Sequence, residues 1–222
     1  MDENQKSFYK KYYDDIKTIE EELVKEICDI LQPVNCKSDA KLVEHMSSRI
    51  KTSDSTIIKL KKYDYEPTEE NAIELLSDII GVRLVVHFIG DVYVIRNILF
   101  NNENIKVIKE KDYIRNPKKS GYRGYHIIVE RQLDELTVNA EIQIRTIAMD
   151  CWASLEHQMR YKKEVKNADL IDVELKKCSD DLMSADIAME QILSLVKEDG
   201  KTHSADFLFE DAMSALFGKN KS

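Results

Sequence analysis

The chain has 222 residues, a formal net charge of −8, 33% charged residues and 43% hydrophobic residues, which predicts a single soluble globular domain with extensions. No apolar run approaches the roughly 18–20 residues needed to span a bilayer, so a membrane partner is excluded. The opening Met-Asp-Glu-Asn-Gln-Lys lacks the apolar stretch of a secretory signal, and the expected location is cytoplasmic.

With Gly 6 and Pro 3, long uninterrupted helices are expected. Phe8, Tyr12, Ile16, Ile19, Leu23, Ile27 and Ile30 recur at three and four residues and predict an N-terminal helix ending before Pro33. A second helix is expected to start near Ser38-Asp39, which can cap it. A short strand around Arg49-Ile50-Lys51, a helix opening near Ser55 and another short helix over 68–77 follow. The run Ile79 to Phe88 is the most β-prone in the chain and predicts a central strand. Next come a helix from Asp91 to Phe100, a strand over 105–112, and a Gly-Tyr-rich loop from Gly121 feeding a strand that ends near Arg131.

From Leu136 to Arg145 the chain alternates, so Ile142 and Ile144 face a core while Glu141, Gln143 and Arg145 share the other face. A carboxylate, an amide and a guanidinium on one rail suit a polar, charged ligand, or else form the wet face of an ordinary strand. The helix after it, Ile147 to about Lys163, is expected to bury Ala148, Trp152, Leu155 and Met159. Beyond it Leu175, Leu182, Met189 and Val196 repeat every seven residues, with Cys178, Ala185 and Ile192 in step. That seam either packs on the protein's own domain or joins it to another copy. The fold class is therefore α/β (α+β): a mixed sheet flanked by helices, with long N- and C-terminal helices.

Cys28, Cys36, Cys151 and Cys178 form no C-x-x-C pair and have no histidine at metal spacing, so free, mostly buried thiols are expected rather than a structural zinc.

Positive charge is concentrated. Residues 49–62 hold Arg49, Lys51, Lys59, Lys61 and Lys62 against Asp54, and residues 106–123 hold five lysines and two arginines against Glu110 and Asp112. Two basic segments in an acidic chain suggest a local polyanion site rather than a general nucleic-acid coat. Ser55, Lys59 and Lys62 fall on one side of a helix, which makes its N-terminus a plausible phosphate cradle, with Arg49 and Lys51 sharing a strand face beside it. Asp78 precedes the central strand and Arg83 lies on it. They can face one cleft only if the chain turns before the strand begins, a turn that Gly81 permits. Asp78 with Glu141 on a neighbouring strand would then offer two carboxylates to Mg²⁺, substrate phosphates completing its shell. In the loop from Asp112 to His126, Tyr122 stands among cations, as stacking on a base requires. His126 could meet a phosphate or be an ordinary core histidine.

Arg49-Ile-Lys-x3-Ser55-x3-Lys59, Asp78-Ile-Ile-Gly-Val-Arg83, Asn116-Pro-Lys-x2-Gly-Tyr122-Arg-x2-His126 and Glu141-Ile-Gln-Ile-Arg-Thr-x3-Asp-x-Trp-Ala-x3-His157 occur in that order. Together they resemble the synthetase domain of the RelA/SpoT family, and the layout is similar to its small alarmone synthetases of the RelQ type. The resemblance implies a nucleotidyltransferase-like fold and a (p)ppGpp synthetase. ATP would give its β,γ-pyrophosphate to the 3′-hydroxyl of GDP or GTP, releasing AMP. It further implies that Arg49 and Arg83 sandwich the adenine, and that Lys51, Ser55, Lys59, Lys111 and Lys118 hold phosphates of the two nucleotides. Tyr122 would stack on guanine with His126 near the transferred group, Asp78 and Glu141 would bind Mg²⁺, Glu141 would orient or deprotonate the 3′-hydroxyl, and Gln143 would support it. A homotetramer is implied as well. The expected organisation is a helix over 1–36, the synthetase core over 37–165 and a helical oligomerisation region over 166–222.

Two departures are visible. Gly124-Tyr125 stands where the family more often has Ser-Leu, leaving the loop's conformation and the GDP/GTP preference open. Glu44 to Ser48 lacks the aromatic usual in a regulatory alarmone site. No adjacent His-Asp pair occurs, so synthesis without hydrolysis is expected. Two alternatives stay open: a catalytically weak nucleotide- or single-stranded-RNA-binding regulator using the same basic segments, and a nucleotidyltransferase that releases pyrophosphate from ATP.

Overall fold

A computed structural model describes residues 8–35, 41–160 and 168–198. Five strands, β1 (Val43–Ile50), β2 (Ile80–Val86), β3 (Lys106–Asp112), β4 (Tyr125–Leu133) and β5 (Leu136–Thr146), form one mixed sheet in the order β1-β2-β5-β4-β3. β2 and β5 run parallel, and every other neighbouring pair is antiparallel. Six α-helices accompany them among the described residues: α1 (Tyr13–Asn35), α2 (Ser53–Lys62), α3 (Glu69–Leu75), α4 (Ile89–Phe100), α5 (Ile147–Arg160) and α6 (Ala168–Glu198).

The two sheet faces differ in kind because strand side chains alternate. One face carries Val82, Leu84 and Val86 of β2, Ala140, Ile142 and Ile144 of β5 and Ile127 and Val129 of β4, all fully or almost fully buried. They join one core with Ile16, Ile19, Leu23 and Ile27 of α1 and Val92, Ile95 and Leu99 of α4. This confirms the N-terminal stripe, with its ends shifted: Tyr9 and Tyr13 are buried where Phe8 and Tyr12 are half-buried. The helix also runs through Pro33 to Asn35 rather than stopping before it. A proline in the last turn removes only one amide from the ladder.

Four further expectations need correction. Residues 36–40 lie outside the described residues, and no helix follows them: Val43–Ile50 is an eight-residue edge strand paired with β2. α2 starts at Ser53, with Thr52 as its cap accepting from the Ser55 amide, so Ser55 belongs to the first turn rather than to the start. On α5, Trp152 is buried with Met149, whereas Leu155 and Met159 are 56% and 45% exposed. That helix seats only its first two turns. Cys28, Cys151 and Cys178 are free, as expected, but exposed rather than buried.

α6 keeps Leu175 of the expected seam buried but otherwise docks through a different stripe. Leu175, Ser179 and Glu190 are buried and Met183 and Ile187 pack on the core, while Met189, Ile192 and Val196 are more than half exposed. Polar residues take part in this docking because each finds a partner. Ser179 Oγ donates to the Gly121 carbonyl, Asp186 meets the Thr146 hydroxyl at 2.6 Å, and Glu190 accepts from the Gly90 amide at 3.1 Å, at the start of α4. Phe207, Phe209, Met213 and Leu216, which extend the pattern in the sequence, lie outside the described residues. No helix among the described residues is long and apolar enough to cross a membrane.

Leu23 is fully buried where α1 meets the sheet, so Leu23→Ala is expected to cost about 2–5 kcal/mol. Chemical denaturation of the two proteins measures it.

Candidate active site

The second sheet face carries the chemistry, and strand register sets its layout. Ser47 of β1 lies opposite Arg83 of β2, which is beside Gln143 of β5, then His126 of β4, then Lys111 of β3. One step along, Arg49 is opposite Gly81, and Gly81 is beside Glu141. Directly opposed and laterally paired residues point the same way, so residues far apart in sequence form one polar row across all five strands, with Arg49 and Glu141 beside it on either side of Gly81.

Asp78 stands just before β2, at the end where α2 begins. Its Oδ2 is 3.0 Å from Lys51 Nζ and its Oδ1 is 2.9 Å from Lys59 Nζ. The turn that brings Asp78 and Arg83 to one side lies before Ile80, at the bends of Ser77 and Ile79. Gly81 is within the strand with no positive φ, so the freedom expected of it is not used. One cleft is lined by Ser47, Ser48, Arg49, Lys51, Asp78, Gly81, Val82, Arg83, Glu141 and Gln143. The two acids and four of the expected cations and polar groups therefore share its wall.

At the other end of the cleft the hydrogen bonds close into a ring. Arg145 Nη2 donates to the Tyr122 hydroxyl at 3.0 Å and to Gln143 Oε1 at 2.9 Å. Tyr122 Oη meets His126 Nε2 at 2.5 Å, His126 Nδ1 meets Glu141 Oε1 at 2.9 Å, and Gln143 Nε2 donates to Glu141 Oε2 at 2.7 Å. One assignment satisfies every member: Tyr122 donates its proton to Nε2, and His126 donates from Nδ1 to an ionised Glu141. The electrostatics agree. Burial pushes His126 below its ordinary pKa against the pull of Glu141, with Lys118 and Arg145 adding to the lowering. Burial would raise Glu141, but the His126 hydrogen bond and, once that ring is protonated, its charge, with the Gln143 hydrogen bond and the Lys111 charge, outweigh it and hold the carboxyl at about 2. Near neutral pH the pair is a neutral imidazole donating to a carboxylate.

Asp150 joins the two ends. Its Oδ1 is 2.8 Å from Arg145 Nη1 and 3.2 Å from Arg83 Nη1. Burial and the adjacent Arg145 guanidinium lower the pKa of Arg83, while Asp150 opposes them. Lys118 lies over the rings of Tyr113 and Tyr122, with Nζ 4.6 Å from each centroid. Desolvation lowers its pKa, Glu141 opposes, and Lys111, Arg145 and Lys59 add to the lowering. So many cations gathered around one cleft mark a place for a polyanion.

Of the expected site residues, Arg49, Lys51, Asp78, Arg83, Glu141 and Gln143 line the cleft itself. Lys59 reaches it through Asp78, and Tyr122, His126 and Lys118 through the ring of hydrogen bonds. Lys111 reaches it by register beside His126. Ser55 is outside the wall, exposed on the first turn of α2 with its hydroxyl accepting from Thr52 at 2.8 Å. Tyr122 is turned inward rather than held out on its loop. The sequence reading missed two residues: Asp150, and Tyr113, whose ring meets Tyr122 and His126 edge-on at 5.9 and 5.2 Å. The alternation Glu141-Gln143-Arg145 put Arg145 on the polar rail but gave it no role of its own. Asp150 has no signal of its own beyond its place in the last motif.

Among the described residues no group of three or more His, Cys, Asp and Glu could hold a metal unaided. The acid pair nevertheless suits a hard cation. Asp78 Oδ1 is buried beside Lys59 without the directional geometry of a hydrogen bond, so it keeps a lone pair for another ligand.

Comparison with known proteins agrees with this geometry. The family described as "Region found in RelA / SpoT proteins" matches residues 48–166. The GTP pyrophosphokinase YwaC of Bacillus subtilis (strain 168) is 40% identical over 160 residues, 70% of this chain and 75% of the relative. The crystal structure of small alarmone synthetase 1 from Bacillus subtilis, bound to its product pppGpp, superposes with a TM-score of 0.76 at 28% identity, covering 86% of this chain and 98% of that one. Small alarmone synthetase 2 from the same organism gives 0.68 at 36% identity over 82% of this chain and 95% of that one. The chain belongs to the RelA/SpoT family.

The acid limb of stability follows from the ring. As pH falls through 6.5 the unfolded imidazole takes up its proton before folded His126 does. As pH falls from 4.5 toward 2 the unfolded carboxyl does so before folded Glu141. The Glu141 contribution is thus fully present above about pH 4.5 and lost below it, and both groups make stability decline on acidification. Urea titrations at successive pH values are expected to show that decline, and Glu141→Gln to flatten its most acidic part.

Proposed function

We propose that this protein is a synthetase-only GTP pyrophosphokinase that makes (p)ppGpp. The 3′-oxygen of GDP or GTP forms a bond to the β-phosphorus of ATP, and the bond from that phosphorus to the α,β-bridging oxygen breaks. AMP leaves with the bridging oxygen, and the hydroxyl proton passes to solvent water. The observation that carries the reading is the placement of Asp78 and Glu141 on one cleft wall among Arg49, Lys51 and Arg83. The absence of an adjacent His-Asp pair in the sequence supports synthesis without hydrolysis.

In this reading Arg49 and Arg83 flank the adenine, Arg49 exposed at the rim and Arg83 held by Asp150. Lys51 and Lys59, which share Asp78 as their partner, turn to the ATP phosphates, with Ser55 in the first turn of α2. Lys111 and Lys118 take phosphates of the acceptor, and Tyr122 takes the guanine. Asp78 and Glu141 would hold Mg²⁺, which supplies charge neutralisation and a template for the phosphates. Glu141, ionised and weakly basic, accepts a hydrogen bond from the 3′-hydroxyl and aligns it, Gln143 and His126 fixing its two oxygens. Little more is asked of a base, since phosphoryl transfer depends chiefly on alignment and charge stabilisation.

The core over 37–165 holds this site, preceded by the N-terminal helix region. The region over 166–222 serves self-association as a homotetramer, for which the outward Met189, Ile192, Leu195 and Val196 are the support. ATP and GDP chemistry with free thiols fits a cytoplasmic protein.

Purified protein with ATP, GDP and Mg²⁺ is expected to yield AMP and a more highly phosphorylated guanosine, resolved by chromatography. Pyrophosphate release, or RNA binding without turnover, would support the other readings. Glu141→Gln is expected to lower kcat by about 100-fold or more, with ATP binding retained. Near-normal turnover would remove its role. Tyr122→Ala is expected to raise the guanosine KM about tenfold, the worth of one base stack, with the ATP KM nearly unchanged.

A further inference from the structure

The loop that carries Tyr122 is folded on itself on one side and fastened to α6 on the other. Within it the Gly121 amide donates to the Lys118 carbonyl at 2.8 Å, and the Lys118 amide to the Tyr122 carbonyl at 3.1 Å. This turn sets Lys118 beside the Tyr122 ring. On its outer side, buried Ser179 of α6 donates its hydroxyl to the Gly121 carbonyl at 2.5 Å. Gly121 has φ +92°, and a Cβ there would stand 3.0 Å from Lys176 Cα and 3.1 Å from Ser179 Cβ. The loop backbone therefore rests directly on the helix at a position where any side chain would be strained.

A second fastening lies two residues on. Arg123 Nη1 donates to the Ile114 carbonyl at 2.9 Å, and its Nη2 is 2.9 Å from Asp180 Oδ1. One guanidinium thus ties the entry of the loop to its exit and both to the helix. A third is Trp152, which donates to the Leu175 carbonyl at 2.8 Å while its ring meets Tyr122 edge-on at 6.5 Å. Ser179 and Asp180 lie on the far side of the loop from the cleft and line none of it.

We propose that Ser179 and Asp180 are positioning residues of the guanosine subsite: α6 holds the loop in the conformation in which Tyr122 and Lys118 meet the acceptor nucleotide. The inference rests on Tyr122 being a guanosine contact. Holding the loop in the folded protein removes the ordering cost that the acceptor would otherwise meet on binding. Released from α6, the loop must be ordered by the nucleotide. The loss then falls on the acceptor KM, because Glu141, His126 and Gln143 stay fixed on their strands and Lys51, Lys59 and Asp78 lie at the other end of the cleft.

The test is steady-state kinetics on the full chain. Ser179→Ala combined with Asp180→Ala is expected to raise the KM for GDP about tenfold, a part of the worth of the two lost hydrogen bonds, the rest falling on the stability of the free protein. The KM for ATP and kcat at saturating GDP should stay within about twofold, inside the ordinary variation of surface variants. Asp180→Ala alone, at a half-exposed side chain, should fold whatever the double variant does and raise the GDP KM by a smaller factor. Asp180→Asn, whose amide oxygen still accepts from Arg123, should recover part of that loss. Tyr122→Ala is run beside them. If it raises the GDP KM and the α6 variants do not, the positioning role is overturned. Equal rises for ATP and GDP in Asp180→Ala would overturn it too, as a general loosening. If Tyr122→Ala leaves the GDP KM unchanged, the guanosine reading itself fails, separately from the role of α6.

Discussion

The parallel pairing of β2 with β5 is the constraint on which the site depends. It places Gly81 beside Glu141 and Arg83 beside Gln143 in one register, and the antiparallel neighbours on either side carry that register outward to Arg49 and His126. A slip of one residue would turn Glu141, Gln143 and Arg145 into the apolar core and expose Ile142 and Ile144. The fully buried Ile142, Ile144, Val82 and Leu84 therefore do more than stabilise the sheet. By fixing which face is dry, they fix which face is charged. Phosphoryl transfer needs charges that are already in place when the substrate arrives, and a rigid sheet core supplies that.

On this frame the two ends of the cleft are coupled through charge. Asp150 bridges Arg83 at one end and Arg145 at the other, and Arg145 continues through Tyr122 and His126 to Glu141. Each of these side chains has at least one partner, though Arg83 Nε is buried without one, and that pairing lets so many ionisable groups share a small volume. The cleft also gathers Arg49, Lys51, Lys59, Arg83, Lys111 and Lys118, and burial with mutual repulsion lowers the pKa of Lys118 and Arg83. Two nucleotides would relieve that repulsion. The helices serve the same face from its two ends: α2 brings Lys59 to Asp78, and α6 packs behind the loop of Tyr122.

Much of this was legible in the sequence, where local pattern and final position coincide. The alternation through β5 gave the dry and charged faces directly, and the stripe on α1 gave most of its buried side. Four ordered motifs pointed to the family and to nearly all the cleft residues. Legibility failed where long-range pairing decides. Val43–Ile50 is an edge strand with an irregular burial pattern, held by its partner β2, so its own residues hardly signal it. On α6 the apolar heptads stood out, but the domain instead takes up Ser179, Asp186 and Glu190, whose burial depends on partners at Gly121, Thr146 and Gly90. Tyr122 reads as a loop aromatic because the sequence does not show that Arg145 and His126 draw its hydroxyl inward.

The central claim is that Asp78 and Glu141 act on one metal between two nucleotides. The most direct measurement is a crystal structure with Mn²⁺, a non-reacting ATP analogue and GDP, locating the metal by its anomalous scattering. This account predicts one metal peak at coordination distance from a carboxylate oxygen of each residue and from the ATP phosphates, with the GDP 3′-oxygen facing the β-phosphorus. A metal bound by neither carboxylate, or nucleotides seated away from the cleft between β2 and β5, would contradict it.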